Sequence, residues 1–326
     1  MSVVDGIKAR NFLVIGRVGM DLSPDPAGTR TKDASSMMVA MGGSSANIAA
    51  GLVKFGCKAA LVTKVSDDAV GWYCLNQLDH YGVDRTHVQK ITGEYRTSLA
   101  VYETRVEEHQ SVIYRNNAAD FQMSIADVEA VDYSRYGALI TAGTVFAAEP
   151  SRSATFRAFE LARAAGLPII FDVDYRPYSW PSAEVAADLL SRAGAMADVI
   201  VGNDEEFGFM AGSIDKGLDK ARELARTSAA IVVYKMGPEG AVTLANGKEL
   251  RTGIYPVEAL KPTGAGDSFM AGLLAALSEG SEMKQAVLRG SACASIVVSR
   301  PGCAPAMPDH GELEAFLTSH PGPTHV

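Results

Sequence analysis

Cysteine is scarce in this sequence, with only four among its 326 residues. No two of them form a Cys-x-x-Cys pair, and none has a histidine at zinc-finger spacing. This pattern excludes a disulfide-stabilised secreted fold and a zinc finger, and it favours reduced thiols in a cytoplasm. Residues 1–10 contain no apolar core segment, so we expect no secretory signal.

Long apolar runs and basic clusters are missing as well. No apolar stretch approaches the roughly 20 residues that a membrane-spanning helix needs. The formal net charge is −8 at pH 7 without any long basic run, which argues against nucleic acid or a membrane as the main partner. Apolar residues make up 47% of the chain and charged residues 21%, as in an ordinary globular protein. Local groups must therefore bind any anionic ligand.

Two common nucleotide-binding motifs are also absent. No Gly-x-x-x-x-Gly-Lys-Ser/Thr occurs, which excludes a Walker A loop. A glycine turn near the C-terminus has Phe269 where a dinucleotide fingerprint has its third glycine. A dinucleotide-dependent dehydrogenase is therefore disfavoured.

That turn, Gly264-Ala265-Gly266-Asp267, is still the most informative stretch of the chain. Apolar residues recur at helical spacing after it, so the turn opens a helix whose free N–H groups could bind a phosphate. A carboxylate beside a phosphate weakens simple affinity, but it suits a base that takes a proton from an attacking hydroxyl. Two glycines before a helix are also common in α/β proteins, and Asp267 could merely complement the helix dipole.

A second glycine-rich turn lies near the N-terminus. Gly42 and Gly43 precede a predicted helix that begins near Asn47 and ends at Gly56. Asn47 offers both a hydrogen-bond donor and an acceptor, and Asp21 follows a short apolar strand at residues 12–15. On its own this pattern is better explained as a tight turn.

Beyond residue 120, short apolar strands alternate with helical patterns. The alternation predicts a parallel sheet with helices on both faces, where ligands bind at the C-terminal ends of strands. Acidic clusters are usually solvated, and glycine turns usually belong to hairpins. Here, however, all of these residues follow predicted parallel strands, and this shared position favours a ligand-binding site. The residues that follow these strands are Asp174 and Arg176, then Asn203 and Glu206, then Lys235, Gly237 and Gly240.

Residues 97–102 and 110–115 instead alternate polar with apolar side chains, which predicts strands with one solvated face. Together with extended pieces between residues 17 and 41, they predict a small sheet that projects from the main body as a lid. The lid segments lie within 17–41 and 96–116. Because its second face would otherwise be open to water, we expect a homodimer through this sheet.

With these residues in place, the chain resembles the ribokinase-like (PfkB) carbohydrate kinases over nearly its whole length. The glycine-rich segment at 42–47, the Asn203-to-Glu206 motif and the Gly264-to-Asp267 motif occur in the order typical of that family. The resemblance implies a single domain over residues 1–326 with a three-layer α/β/α ribokinase-like fold, a mainly parallel central sheet and a small β-sheet lid. It also implies a sugar substrate, with ATP and Mg²⁺ as cofactors.

The resemblance assigns a role to each matching residue. In the family, Gly264, Ala265 and Gly266 would form the anion hole, and Asp267 would be the catalytic base. The residues that would hold sugar hydroxyls are Asp21, Gly42, Gly43 and Asn47. The residues that would lie along the nucleotide are Lys235, Gly237, Gly240, Asn203 and Thr263, while Glu206 would act indirectly in the magnesium network.

Within the family, residues 171–180 resemble the kinases of 5-dehydro-2-deoxygluconate in myo-inositol breakdown, as do residues 54–56 and 291–299. This substrate is a keto sugar acid, and its carboxylate needs a local cation in an acidic protein. Arg176 is our first choice, because a guanidinium can bind a carboxylate at two places. Arg96 and Arg115, on the predicted lid, are weaker candidates that could equally be exposed charges.

Lys261 departs from the pattern of many family members, in which an aspartate there helps to form a monovalent-cation site beside the anion hole. A lysine brings its own ammonium group. We therefore expect Lys261 to replace the bound ion and activity to be independent of potassium. The subfamily that the chain resembles also tends to carry lysine at this place.

The reaction we expect is transfer of the ATP γ-phosphoryl group to a primary hydroxyl of the sugar acid. An ordinary aspartate pKa of about 3.9 would leave Asp267 ionised at neutral pH. Two alternatives of the same fold are a 2-keto-3-deoxygluconate kinase and a fructokinase-type sugar kinase. An alternative from another class is a non-catalytic sugar-sensing protein that kept the fold.

Overall fold

The computed structural model describes residues 2–105 and 107–324, apart from the side chain of Tyr178. Val106, in the predicted lid segment 96–116, lies outside the described residues, as do Met1, His325 and Val326 of the predicted domain 1–326. The strands are β1 (Asn11–Ile15), β2 (Gly19–Asp25), β3 (Ser36–Gly42), β4 (Lys58–Ser66), β5 (Val88–Ile91), β6 (Leu99–Tyr102), β7 (Ser111–Tyr114), β8 (Ala138–Ala142), β9 (Ile169–Asp172), β10 (Val199–Asn203), β11 (Ile231–Lys235), β12 (Ala241–Ala245) and β13 (Lys248–Thr252). The α-helices are α1 (Val3–Lys8), α2 (Ser44–Lys54), α3 (Ala69–His80), α4 (Ile125–Glu129), α5 (Ser151–Ala164), α6 (Ala183–Met196), α7 (Asp204–Ala211), α8 (Gly217–Thr227), α9 (Ala265–Ser278), α10 (Met283–Val298) and α11 (His310–Ser319).

A nine-stranded sheet runs through the main body in the order β13-β12-β11-β10-β9-β8-β1-β4-β5. All pairs from β11 to β5 are parallel, and β12 and β13 are added antiparallel at one edge. Every residue of β8 is buried, as the continuous apolar pattern predicts for a strand covered on both faces. Parallel pairing requires crossover connections, and helices supply them here.

Helices cover both faces of this sheet, because successive side chains of a strand point to opposite sides. Leu13 and Ile15 of β1 belong to one buried core, which includes side chains of α5, α6 and α8. Phe12 and Val14 of the same strand belong to a second core, shared with α2, α3 and α9. The predicted three-layer α/β/α fold is therefore confirmed. The parallel strand ends gather at one edge of the sheet and position the candidate site.

The predicted small sheet is also present, in the order β3-β2-β6-β7. The β2–β3 and β6–β7 pairs are antiparallel, and β2 and β6 are parallel. One face carries the buried side chains Asp21, Ala40 and Tyr102, while Val39 on the other face remains 46% exposed. The alternation of polar and apolar residues predicts this division into one buried and one exposed face.

The four cysteines are free and buried, as expected for reduced thiols. Among the helices of residues 2–105 and 107–324, none has the length and apolar character needed to cross a membrane.

Candidate active site

The glycine turn before α9 has the conformation that the sequence indicates. Gly264 caps the helix with φ at +85°, in the left-handed region that favours glycine. A Cβ at this position would also meet the Cys303 thiol sulfur at 3.0 Å. The backbone N–H of Ser268 is bonded to the Gly264 carbonyl, so the N–H groups of residues 265–267 have no partner within the helix. They form a ready site for an anion.

Lys235 adds a positive charge to this turn. It ends β11, in register with Asn203 at the end of β10. Its Nζ atom lies 3.4 Å from the place where a Cβ on Gly266 would be, and 5.6 Å from the centroid of the Phe269 ring. An ammonium group and free N–H groups therefore converge on one space, which suits a phosphate.

The turn that follows Lys235 also requires glycine. Gly237 and Gly240 have φ of +53° and +88°; Gly237 begins the short 3-10 helix Gly237–Glu239 and Gly240 follows it. A Cβ on Gly240 would overlap the backbone carbonyl of Thr252 at the end of β13. Both glycines thus lie directly beyond the cation, in the turn that the family resemblance assigns to the nucleotide.

Asn47 connects the two glycine-rich segments. In the first turn of α2, its Nδ2 donates a hydrogen bond to Oδ2 of Asp267 at 2.8 Å. The Oδ1 atoms of Asn47 and of Asp21 are buried without a hydrogen-bond partner. An unpaired buried acceptor costs about 1–3 kcal/mol, so a hydrogen-bond donor such as a hydroxyl group would stabilise each of these two oxygens.

The glycines at 42 and 43 bring the backbone close to these acceptors. A Cβ on Gly42 would overlap the carboxyl group of Asp21. Gly43 has φ at +97°, and a Cβ there would overlap the backbone carbonyl of Arg17. The segment is therefore more than a tight turn, because side chains at these positions would fill the space around Asp21.

Asp174 and Arg176 lie together, but the chain between them is not extended as predicted, because Asp174 has φ at +37°. Arg176 Nη2 lies 2.8 Å from Asp174 Oδ1, and its Nη1 lies 3.9 Å from Oε1 of Glu206. Asp174 Oδ2 accepts a hydrogen bond from Ser44 Oγ at 2.7 Å. Burial raises the pKa of the Asp174 carboxyl, but Arg176 and the Ser44 hydroxyl outweigh it and lower the pKa below its usual value.

Asn203 and Glu206 form a reciprocal cap at the start of α7. The Glu206 N–H donates to Asn203 Oδ1 at 2.8 Å, and the Asn203 N–H donates to Glu206 Oε2 at 2.7 Å. Burial raises the pKa of Glu206, against the lowering effect of Lys235 and Arg176. This cap fixes a carboxylate at the strand end beside both cations.

Asp172 is a site residue to which the sequence analysis gives no role. It ends β9 and is only 4% exposed. Burial raises its pKa well above the usual value; Lys235 opposes the rise, and Glu206, Asp174 and Asp267 add to it. The available signal was its position as the last residue of an apolar strand, immediately before the predicted pair.

The expectation of an ordinary pKa for Asp267 is wrong. Burial and the nearby Asp174 carboxylate raise the pKa of Asp267 to about 7, although the Asn47 hydrogen bond, Arg176 and Lys235 act to lower it. Such a pKa is well matched to a general base that works near neutrality.

The two arginines predicted on the lid lie in different surroundings. Arg115 is buried rather than exposed: its guanidinium forms an ion pair with Asp120 and donates from Nη1 to the Thr144 carbonyl at 3.1 Å. Arg96 is exposed and donates to two backbone carbonyls of its own loop, with Asp68 at 3.8 Å. The structure thus brings Arg176, but not Arg96, to the carboxylate cluster.

Lys261 is completely buried beside the glycine turn. Its Nζ donates to the backbone carbonyls of Thr263 at 2.6 Å and of Val297 at 3.2 Å. Burial lowers the pKa of Lys261, while Cys303, Asp21 and Asp267 act to raise it. The Thr263 carbonyl therefore faces Lys261, and the ammonium group is held by oxygen atoms of the kind that bind a metal cation.

Comparison with known proteins adds independent findings. The family model described as pfkB family carbohydrate kinase matches residues 9–310. A protein of Geobacillus kaustophilus named 5-dehydro-2-deoxygluconokinase is 34% identical over 321 residues, which cover 97% of this chain and 96% of that protein. Its namesake from Photobacterium profundum is 35% identical over 311 residues, covering 94% of each chain.

A solved structure supports the fold. The fructokinase of Vibrio cholerae, in its fructose, ADP and calcium ion bound form, is similar with a TM-score of 0.83 at 24% identity. The match covers 95% of this chain and 99% of that one. At this level of identity the likeness establishes the architecture alone.

Proposed function

Because the chain belongs to the pfkB family of carbohydrate kinases, we propose that it transfers the γ-phosphoryl group of ATP to the primary hydroxyl of a keto sugar acid, 5-dehydro-2-deoxy-D-gluconate. The observation that carries the chemistry is the position of Asp267: it lies in the first turn of the helix opened by Gly264 and accepts a hydrogen bond from Asn47. The names of the full-length relatives support the choice of substrate.

In this proposal the sugar lies between the two glycine-rich segments. The Oδ1 atoms of Asp21 and Asn47, which have no partner in the protein, would accept hydrogen bonds from its hydroxyl groups, and the bare backbone at Gly42 and Gly43 leaves it room. Asp267 takes the proton of the attacking hydroxyl. Because phosphoryl transfer has a loose transition state, positioning and charge stabilisation supply much of the rate.

Two sets of groups would stabilise the negative charge that develops on the oxygens of the transferred phosphoryl group. The N–H groups of Ala265, Gly266 and Asp267 point from the helix start, and Lys235 Nζ lies above Gly266. Preorganised donors of this type lower the barrier because they need no reorganisation during the reaction. Gly264 contributes only its conformation.

ATP and Mg²⁺ fit the remaining groups. The turn with Gly237 and Gly240, together with Asn203 and Thr263, would hold the nucleotide. No group of three or more His, Cys, Asp or Glu side chains within 2–105 and 107–324 is arranged to hold a metal. Bound Mg²⁺ would neutralise phosphate charge, and it usually keeps several waters and phosphate oxygens as ligands. Glu206 would therefore act on it indirectly.

The proposal is tested by ADP release with a panel of sugars at saturating MgATP. We expect the highest kcat/KM with 5-dehydro-2-deoxygluconate. A higher value with 2-keto-3-deoxygluconate or fructose would reassign the substrate within the fold. Absence of turnover with every sugar would favour the non-catalytic sensing protein.

Lys261 leads to a prediction about cations. Its ammonium group already occupies a position bounded by the Thr263 and Val297 carbonyls, so we expect kcat to change less than about twofold when sodium replaces potassium. The comparison is made by steady-state kinetics at constant ionic strength. A strong gain in potassium would show that an ion binds despite the lysine.

We also propose that the exposed face of the lid sheet binds a second copy of the chain. Val39 on edge strand β3 is 46% exposed, and Val112 and Tyr114 on the opposite edge strand β7 are 44% and 60% exposed. Apolar faces of this kind are usually covered. Val39→Glu should therefore shift the protein from dimer to monomer in sedimentation experiments, whereas Val185→Glu, on the exposed side of α6, should not. A wild-type monomer at micromolar concentration would contradict this.

A further inference from the structure

Arg17 is a buried cation in the acceptor site for which the sequence gives no role. It is only 7% exposed and lies two residues beyond β1. Its Nη1 donates to Ser98 Oγ at 2.9 Å, which is the side chain's one hydrogen bond among the described residues. None of its nitrogens is among the fully enclosed atoms that lack a partner. The other donors therefore reach accessible space.

The backbone places Arg17 at the wall of the proposed sugar site. Its carbonyl accepts a hydrogen bond from the N–H of Ala46 at 3.2 Å and packs against Gly43. Its partner Ser98 directly precedes lid strand β6, so the guanidinium joins the main body to the lid. Burial raises the pKa of Asp21 to about 6 and Arg17 opposes this rise; Arg17 also contributes to the lowered pKa of Asp174, so its charge lies near both carboxylates.

The other arginines near this space are already engaged. Arg115 uses its guanidinium on Asp120 and the Thr144 carbonyl. Arg176 is paired with Asp174 at 2.8 Å and lies 3.9 Å from Glu206. Burial of a cation is costly unless it is paired, and Arg17 has no carboxylate within salt-bridge distance among the residues of 2–105 and 107–324. The carboxylate of a ligand would supply the ion-pair partner that Arg17 lacks.

We infer that Arg17 binds the carboxylate of the sugar acid and makes this kinase prefer acidic over neutral sugars. The inference rests on the proposed function. In a six-carbon keto acid the carboxylate and the primary hydroxyl are at opposite ends, so the two must be held by different groups. Asp267 and Asn47 hold the hydroxyl end, while Arg17 and Ser98 hold the other. A guanidinium that keeps one bond to Ser98 has further donors for a carboxylate.

The experiment removes the positive charge of Arg17 in one arm and the negative charge of the substrate carboxylate in the other. Arg17→Gln is assayed with the sugar acid and with an analogue in which a primary amide replaces the carboxylate. We expect the KM for the acid to rise about 30-fold, as for a lost charged hydrogen-bond pair, while the KM for ATP and the kinetics with the amide change less than about threefold. Arg226→Gln, at an exposed position in the last turn of α8, is the control and should leave the KM for the acid unchanged.

A second variant guards against loss of folding, because Arg17 is buried. Arg17→Lys keeps the positive charge but loses the planar guanidinium that can bind a carboxylate through two N–H groups. It should raise the KM for the acid about tenfold. Thermal unfolding of each variant is recorded beside the kinetics. An unchanged KM for the acid in both variants, or equal losses for acid and amide, would overturn the role of Arg17 while leaving the proposed function intact. A wild-type enzyme that phosphorylates no sugar acid would instead overturn the proposed function.

Discussion

Asp267→Asn should lower kcat on the order of 10³-fold, with the KM of the sugar changed less than about threefold. The amide has the same shape and keeps an oxygen that can accept from Asn47 Nδ2, so the acceptor site is preserved. It cannot take the hydroxyl proton. The measurement is steady-state ADP release at saturating MgATP. Asp188→Asn, an exposed carboxylate on α6, is the matched control and should retain full turnover.

The pH dependence gives this prediction a second readout. The base must be ionised to act, and the pKa of Asp267 is raised to about 7 by burial and by Asp174. The kcat/KM of the wild type should therefore rise about tenfold per pH unit below pH 7 and level off above it, since this profile reports the free enzyme. The residual activity of Asp267→Asn should lack this rise.

The two readouts separate the possible roles of Asp267. A carboxylate that only complements the helix dipole would affect stability by roughly 0.3–1 kcal/mol and would leave turnover nearly intact. Near-normal kcat in the variant would therefore remove Asp267 from the chemistry. A large loss of kcat with an unchanged acid limb would assign the ionisation to another carboxylate, such as Asp172.

Much of the fold follows from local patterns in the sequence. The apolar runs of β1, β8, β9, β10 and β11 predict the parallel sheet because strands covered on both faces carry few polar residues. The edge strands β5 and β13 were not identified. These two strands are only partly apolar and are largely exposed. They therefore lack both the continuous apolar run and the alternation of polar and apolar residues that predict a strand.

The chemistry of the site was less predictable than its position. The glycine turn at Gly264 and the Asn47 segment could be recognised from small residues before a helix. The raised pKa of Asp267 could not be recognised, because it depends on burial and on Asp174, which is distant in sequence and is brought near by folding. Arg17 escaped notice for a similar reason. Its burial under the lid depends on Ser98, which lies 81 positions away.

Gly42→Ala should raise the KM of the sugar about 300-fold, through lost charged hydrogen bonds at Asp21 and crowding of the site. A Cβ at this position would overlap the Asp21 carboxyl group, whose short side chain has little freedom to retreat. Gly42 ends β3 and is not among the glycines with positive φ, so backbone strain adds nothing. The effect should therefore appear in substrate binding, measured by steady-state kinetics.

The contrast with Asp267 tests whether the two glycine-rich segments have separate tasks. Gly42→Ala acts on the acceptor before the reaction, so its KM should rise while kcat at saturation falls much less than in Asp267→Asn. Gly322→Ala is the control, because nothing lies within 4 Å of a Cβ there, and its kinetics should match the wild type. An unchanged sugar KM in Gly42→Ala would mean that Asp21 does not contact the acceptor, and the sugar would then have to bind on the other side of Asn47.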